Sequence, residues 1–175
     1  MIMPKEKREI QKEDIMPLDV YTGKRRELRK NIVDYKKNRR VALGPYATFY
    51  FESYETMLAQ VQEMLYIEKG GDEQLQDELS AYNPLIPNGK ELTATLMFEI
   101  DNEKIKAVPE KDVDRTSTEG KASSVQFIHF NFTDDQIEKF NSNSSEIELG
   151  IDHKEYSHST KLSKENIASL SADFS

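Results

Sequence analysis

Residues 91–100 read ELTATLMFEI. On an extended chain Leu92, Ala94, Leu96, Phe98 and Ile100 point to one side, and Glu91, Thr93, Thr95, Met97 and Glu99 to the other. Strict alternation is the mark of a strand with one buried face, because successive side chains in a strand leave opposite faces. Just upstream, AYNPLIPNGK (81–90) places two prolines and a glycine in ten residues, with Lys90 its only charge. Pro84 biases Asn83 away from helical dihedrals, so a helix should end near Tyr82. Pro87-Asn88-Gly89 then reads as a turn into the strand.

Farther upstream, SYETMLAQVQEMLYIEKGG (53–71) is a helix, with Ser53 as N-cap and Glu55 in the first turn. Met57, Leu58, Val61, Met64 and Leu65 recur at three- and four-residue spacing, and Gly70-Gly71 ends the run. A second helix from Asp72 carries Leu75, Leu79 and Tyr82 on one face. Residues 17–40 are also helical in pattern, with Tyr21, Leu28, Ile32 and Tyr35 in a narrow stripe, and VALGPYATFYFE (41–52) reads as one strand with Ala47, Phe49 and Phe51 inward. Downstream, SSVQFIHFNF (123–132) is apolar on both faces and reads as a central strand. TDDQIEKF (133–140) has a capping box of Thr133 and Gln136, with Ile137 and Phe140 inward. EIELGID (146–152) turns Ile147, Leu149 and Ile151 inward, and a last helix from Ser163 buries Ile167, Leu170 and Phe174. Strands and helices mix without a βαβ rhythm. The expected fold is therefore α+β, a single domain with a mainly antiparallel sheet of about four strands covered by helices. Residues 1–13 are expected to form a flexible N-terminal arm ahead of one domain at 14–175, and residues 101–122 to be frayed.

The 175-residue chain has no cysteine, which removes disulfides, thiolate nucleophiles and cysteine-ligated metal centres. No apolar run approaches the length of a membrane helix, and the N-terminal stretch lacks the apolar core of a signal peptide, so a cytoplasmic protein is expected. Charge is unevenly placed. Residues 1–40 hold 13 Lys and Arg against 7 Asp and Glu, a net of +6, and the remainder holds 11 against 25, a net of −14. The basic run is GKRRELRKNIVDYKKNRR (23–40).

Three groups of residues are candidates for chemistry. Asp152-His153 joins a carboxylate to an imidazole, as a general base or metal ligand requires, and EYSH (155–158) has a Glu-x-x-His spacing used by di-iron bundles. Those bundles need the unit twice on long helices, and here it occurs once, so solvated loop residues are the competing reading. In QVQEM (60–64), Gln60, Gln62 and Glu63 either rim a pocket or form the polar side of an amphipathic helix. The basic run, led by Arg25, Arg26, Arg29 and Lys30 and extending through Arg39 and Arg40, offers phosphate contacts. Its aromatic interleaving is thin, however, and the acidic remainder repels a polyanion. A solvated face or an acidic protein partner fits better than nucleic acid. His129 reads as a strand residue among Phe127 and Phe130. There is no Gly-rich phosphate loop and no nucleophile elbow.

Taken together, VALGPYATFYFE, QVQEML, DELSAYNPLIPNGKELTATLM and LGIDHKEY resemble a bacterial family known as domain of unknown function 3501. The likeness runs from about Asp14 to Tyr156. Against the family pattern, Gln126 and His129 stand where members carry His and Arg, and the stretch between Ile100 and Ser123 is short. The resemblance implies genes near those of rubrerythrin-like proteins and an iron–sulfur oxidoreductase, hence a protein partner beside a redox system, and no particular reaction. It also puts weight on QVQEM, the elbow and Asp152-His153, so that Gln60, Gln62, Glu63, Tyr82, Asn83, Asp152 and His153 are expected to meet around one small polar pocket. An accessory or binding protein without catalytic activity is the leading expectation, with no cofactor predicted. An enzyme or metal protein built on Glu63, Asp152 and His153 is the second, and RNA binding through residues 23–40 the third.

Overall fold

The computed structural model describes residues 8–98, 124–142 and 146–174. Its elements are α1 (Leu18–Lys36), β1 (Arg40–Leu43), β2 (Ala47–Phe51), α2 (Tyr54–Glu68), α3 (Gly71–Tyr82), β3 (Glu91–Phe98), β4 (Val125–Asn131), α4 (Asp134–Asn141), β5 (Glu148–His153), β6 (Tyr156–Lys161) and α5 (Lys164–Ser171). β1 to β4 form an antiparallel sheet in the order β1-β2-β3-β4, and β5 and β6 form a separate antiparallel hairpin. The fold is α+β, as the alternation and the lack of βαβ rhythm predict.

Register explains the main core. Val41 lies opposite Phe49, Phe49 opposite Leu96, Phe51 opposite Ala94, and Leu92 opposite Phe130. These residues share one face of the sheet, and that face packs against Phe140 of α4, Leu149 of β5, and Ile167, Leu170 and Phe174 at the end of the chain. Phe132, Phe140 and Phe174 meet edge to face, with ring centroids 5.0–5.8 Å apart. A second cluster lies among α2, α3 and the elbow, where Met57, Val61, Leu75, Leu85 and Ile86 surround Ile10.

Several expectations change. VALGPYATFYFE is two strands, not one. Gly44 takes a left-handed φ of 64°, and the chain reverses between Leu43 and Ala47. The reversal is pinned from across the molecule: the Tyr156 hydroxyl donates to the Leu43 carbonyl and accepts from the Ala47 amide at 3.1 Å. β4 is an edge strand rather than a central one. Its outer face carries Phe127 and His129, both exposed, and only Ile128 and Phe130 reach the core. EYSH straddles the β5–β6 turn, so its Glu and His do not share a helix face. The polar β6 residues Ser157, His158 and Ser159 still form a strand, because pairing with β5 supplies the hydrogen bonds. The expected arm at 1–13 is docked where it is described. Ile10 is 1% exposed, since the second cluster would otherwise open to water. The predicted end of β3 at residues 99–100 and the expected frayed stretch at 101–122 lie outside the described residues.

Candidate functional site

Ser53 caps α2: its hydroxyl accepts from Thr56 N, and Thr56 Oγ1 accepts from Ser53 N at 2.8 Å. The capped helix presents three polar side chains in three directions. Glu63 faces α1. It accepts hydrogen bonds from Tyr21 Oη at 2.7 Å and from Arg25 Nε and Nη2 at 3.1 and 2.5 Å, with Arg29 Nη1 3.9 Å away. The Arg25 hydrogen bonds hold the Glu63 carboxyl below the usual carboxylate range, and Glu63 in turn raises the Arg25 guanidinium. Burial, followed by the hydrogen bond to Glu63, pushes the Tyr21 phenol up to about 12. The Arg25 guanidinium also lies over the Tyr66 ring at 4.5 Å, and Tyr66 meets Tyr21 edge-on at 5.8 Å.

Outside this cluster is an open hollow of about 370 Å³ lined by Thr22, Arg25, Arg26, Arg29 and Tyr66. Arg26 has no hydrogen-bond or ion-pair partner among the described residues, and Arg29 has only the distant Glu63 oxygen. Lys24 and Lys30 are exposed on the same helix. The arrangement suits an anion. One guanidinium is fixed by a carboxylate and a ring, and the exposed guanidinium of Arg26 beside it has no partner to give up.

Gln62 and Asn83 do something different. Gln62 Oε1 accepts from Met16 N at 2.8 Å, and its Nε2 donates to Met16 O at 3.2 Å. Asn83 Oδ1 accepts from Ile10 N at 2.9 Å, and its Nδ2 donates to Ile10 O at 3.1 Å. Each amide grips both backbone groups of one residue, so residues 8–16 lie as a strap across the surface where the pocket was expected. Gln60 Nε2 reaches Tyr82 Oη at 3.4 Å beside them.

Asp152 and His153 stand apart from this assembly. They end β5 on the exposed tip of a hairpin that packs with the sheet-side core, and His153 Nδ1 accepts from Glu155 N at 3.2 Å. Every hydrogen bond and ion pair of Glu63 goes to α1 instead. The expected meeting of Glu63 with Asp152 and His153 is therefore replaced by two separate surfaces. Among the described residues no three His, Asp or Glu side chains gather as a metal site would need. His129 Nδ1 lies 2.9 Å from Glu91 Oε2, and the His158 ring packs against Tyr156 at a tilt of 58°, centroids 4.6 Å apart.

Sequence reasoning missed Thr22 and Tyr66 in the hollow. Tyr66 falls one turn after Glu63, and that spacing was the available signal. It also placed Arg39 among phosphate-facing residues, whereas Arg39 and Asp173 are each 1% exposed and joined in an ion pair. Arg39 donates to the carbonyls of Phe51, Glu52 and Ser169 as well, at 3.0, 2.7 and 3.1 Å. Burial raises the Asp173 carboxyl against the pull of Arg39, which remains charged.

No helix among the described residues is long and apolar enough to cross a membrane. No curated protein matches the chain. A crystal structure of a "novel protein of unknown function" from Burkholderia pseudomallei K96243 is similar, with 28% sequence identity and a TM-score of 0.82 over 95% of this chain and 99% of that one. The sequence profile of a family described as "Protein of unknown function (DUF3501)" matches residues 9–104 and 98–174, nearly the whole chain. The chain thus belongs to that family.

Proposed function

We propose that this is a cytoplasmic accessory or binding protein that docks an acidic protein partner on the arginine-lined face of α1. One observation carries the reading: Arg26 and Arg29 flank an open hollow whose floor, Arg25 over Tyr66, is already held in place by Glu63. A fixed cation on an aromatic floor loses little freedom when a carboxylate arrives, so partner binding there is favoured over binding to a loose lysine patch. The rest of the chain is strongly acidic, which disfavours a long polyanion and leaves a compact acidic surface as the better match. The resemblance to the family supports a partner from a redox system, a rubrerythrin-like protein or an iron–sulfur oxidoreductase. The role is recruitment or positioning, with the chemistry done by the partner.

Co-purification from native expression tests the reading, comparing the natural chain with Arg26→Glu combined with Arg29→Glu. Recovery of a rubrerythrin-like or iron–sulfur protein with the natural chain and its loss with the double variant is expected. Equal recovery with both chains, or none with either, sinks it. A parallel shift assay with structured RNA decides the remaining use of this face: a salt-dependent shift abolished by the same double variant would replace the protein partner with RNA.

A further inference from the structure

The arginine hollow is the middle of a longer surface. Leu18, Thr22, Arg25, Arg26, Arg29 and Val33 fall within about 100° of the circumference of α1. Tyr21, Leu28, Ile32 and Tyr35, the side turned to the protein, lie along one flank of this stripe. No carboxylate falls inside it: Glu27 and Asp34 are on the far side of the helix, and Asp19 lies just beyond Arg26.

The stripe is cationic in the middle and apolar at its ends, where Leu18 is 42% and Val33 59% exposed. α2 adds to one end. The two helices run antiparallel, since Tyr21 and Arg25 meet Glu63 late in α2, and Tyr35 meets Ser53 and Glu55 at its start. Ile67 follows Glu63 by one turn on the same side of α2, and it too is open to water. Single exposed aliphatic residues are ordinary. Here, of five large apolar residues exposed among the described residues, Leu18, Val33 and Ile67 all border the arginines.

We propose that the trough between α1 and α2 takes an amphipathic helix of the partner, with carboxylates in its middle turns and an apolar side chain toward each end. The proposal rests on the docking reading for α1 and specifies the shape of what docks. The spacings select a helix. Leu18 and Val33 are about 22 Å apart along the axis, which a partner helix of about four turns spans. Arg26 and Arg29 are offset by about 4.5 Å along the same axis. Carboxylates one turn apart on a facing helix repeat at about that interval, whereas same-face residues of an extended segment repeat at about 7 Å. A stripe with three guanidiniums and no carboxylate supplies the charge match, and the apolar ends supply area that an ionic contact alone leaves wet.

Two synthetic peptides of one composition test this by fluorescence anisotropy with the full chain. In the first, glutamates one turn apart stand between leucines about 22 Å apart on one helical face. In the second the same residues are shuffled so that no face forms. The first should bind at least about tenfold more tightly than the second, and gain helical circular dichroism on binding. Leu18→Ala combined with Val33→Ala should weaken it about tenfold. Arg26→Glu combined with Arg29→Glu should abolish it. Equal binding of the two peptides, binding without added helicity, binding that Leu18→Ala with Val33→Ala leaves unchanged, or no binding of either peptide overturns the helix. The docking reading is judged separately by co-purification, whose arginine comparison does not depend on the shape of the partner's segment.

Discussion

One basic run holds arginines in two opposite settings. At its C-terminal end Arg39 is fully enclosed, with Asp173 and three backbone carbonyls around it. In its middle, Arg26 and Arg29 line an open hollow over a guanidinium that Glu63 holds still. The residues are the same type, thirteen or fewer positions apart, yet only the first setting bears on whether the chain folds. An ion pair in water gains little, because solvent screens it and two long side chains must be held in place. A buried charge whose partner is removed has nowhere to go. Arg39 is therefore a structural residue, whereas the fold does not enclose Arg26 and Arg29.

The most disruptive way to probe this contrast is Arg39→Met, which strands Asp173. About 3–5 kcal/mol of stability should be lost in urea unfolding. A loss below about 1 kcal/mol would mean that the enclosed arginine is no more structural than the exposed ones. Next comes Gly44→Ala, a control on the same sheet but away from any charge. The left-handed φ alone costs roughly 1–2 kcal/mol. The added Cβ would also fall 2.7 Å from the His158 ring and the Tyr156 hydroxyl. A native-like Tm would show that the β1–β2 turn is not needed to close the core.

Glu63→Gln sits between the two settings, because Glu63 is half-way to solvent and fixes the floor of the hollow. Its carboxyl is held below the ordinary range, so the folded state binds that proton less readily than the unfolded chain. The stability it contributes is present above the unfolded glutamate pKa and is lost as pH falls through the lower folded one. Acid titration of Tm should fall less steeply in Glu63→Gln than in the natural chain across that window, and added salt should shrink the difference. Parallel curves would separate Glu63 from the α1–α2 contact. The smallest effect on folding is expected from Arg26→Glu with Arg29→Glu. Stability should change by no more than about 0.5 kcal/mol. A large drop in Tm would erase the distinction between the two parts of the run.

How much of this the sequence disclosed depends on the kind of signal. β3 was plain, since Leu92, Ala94, Leu96 and Phe98 alternate without a break and the structure buries or half-buries all four. The β1–β2 hairpin was hidden because each arm is only four or five residues long and both are apolar around Gly44. β4 misled because Phe127 on its outer face imitates two-sided burial. β6 was invisible: Tyr156 is its only large apolar residue. Gln62 and Asn83 stood out as residues, but not what they do, because an amide that grips a backbone leaves no period in the sequence. The burial of Arg39 had no local trace at all, since its carboxylate lies 134 positions away.

That separation also bears on the order of assembly. Synthesis runs from the amino end, so Arg39 leaves the ribosome long before Asp173, 134 residues later, has been made. Until then the β1 side of the sheet has no counter-charge to close over, and the nascent chain must keep that guanidinium wet. Asp173 closes the charge and Phe174 the core, so folding of the sheet around Arg39 is expected to wait for both. On ribosome-bound chains extended by an unstructured linker long enough to clear the exit tunnel, ending the protein at Ala172 should leave it protease-sensitive, and including Asp173 and Phe174 should not.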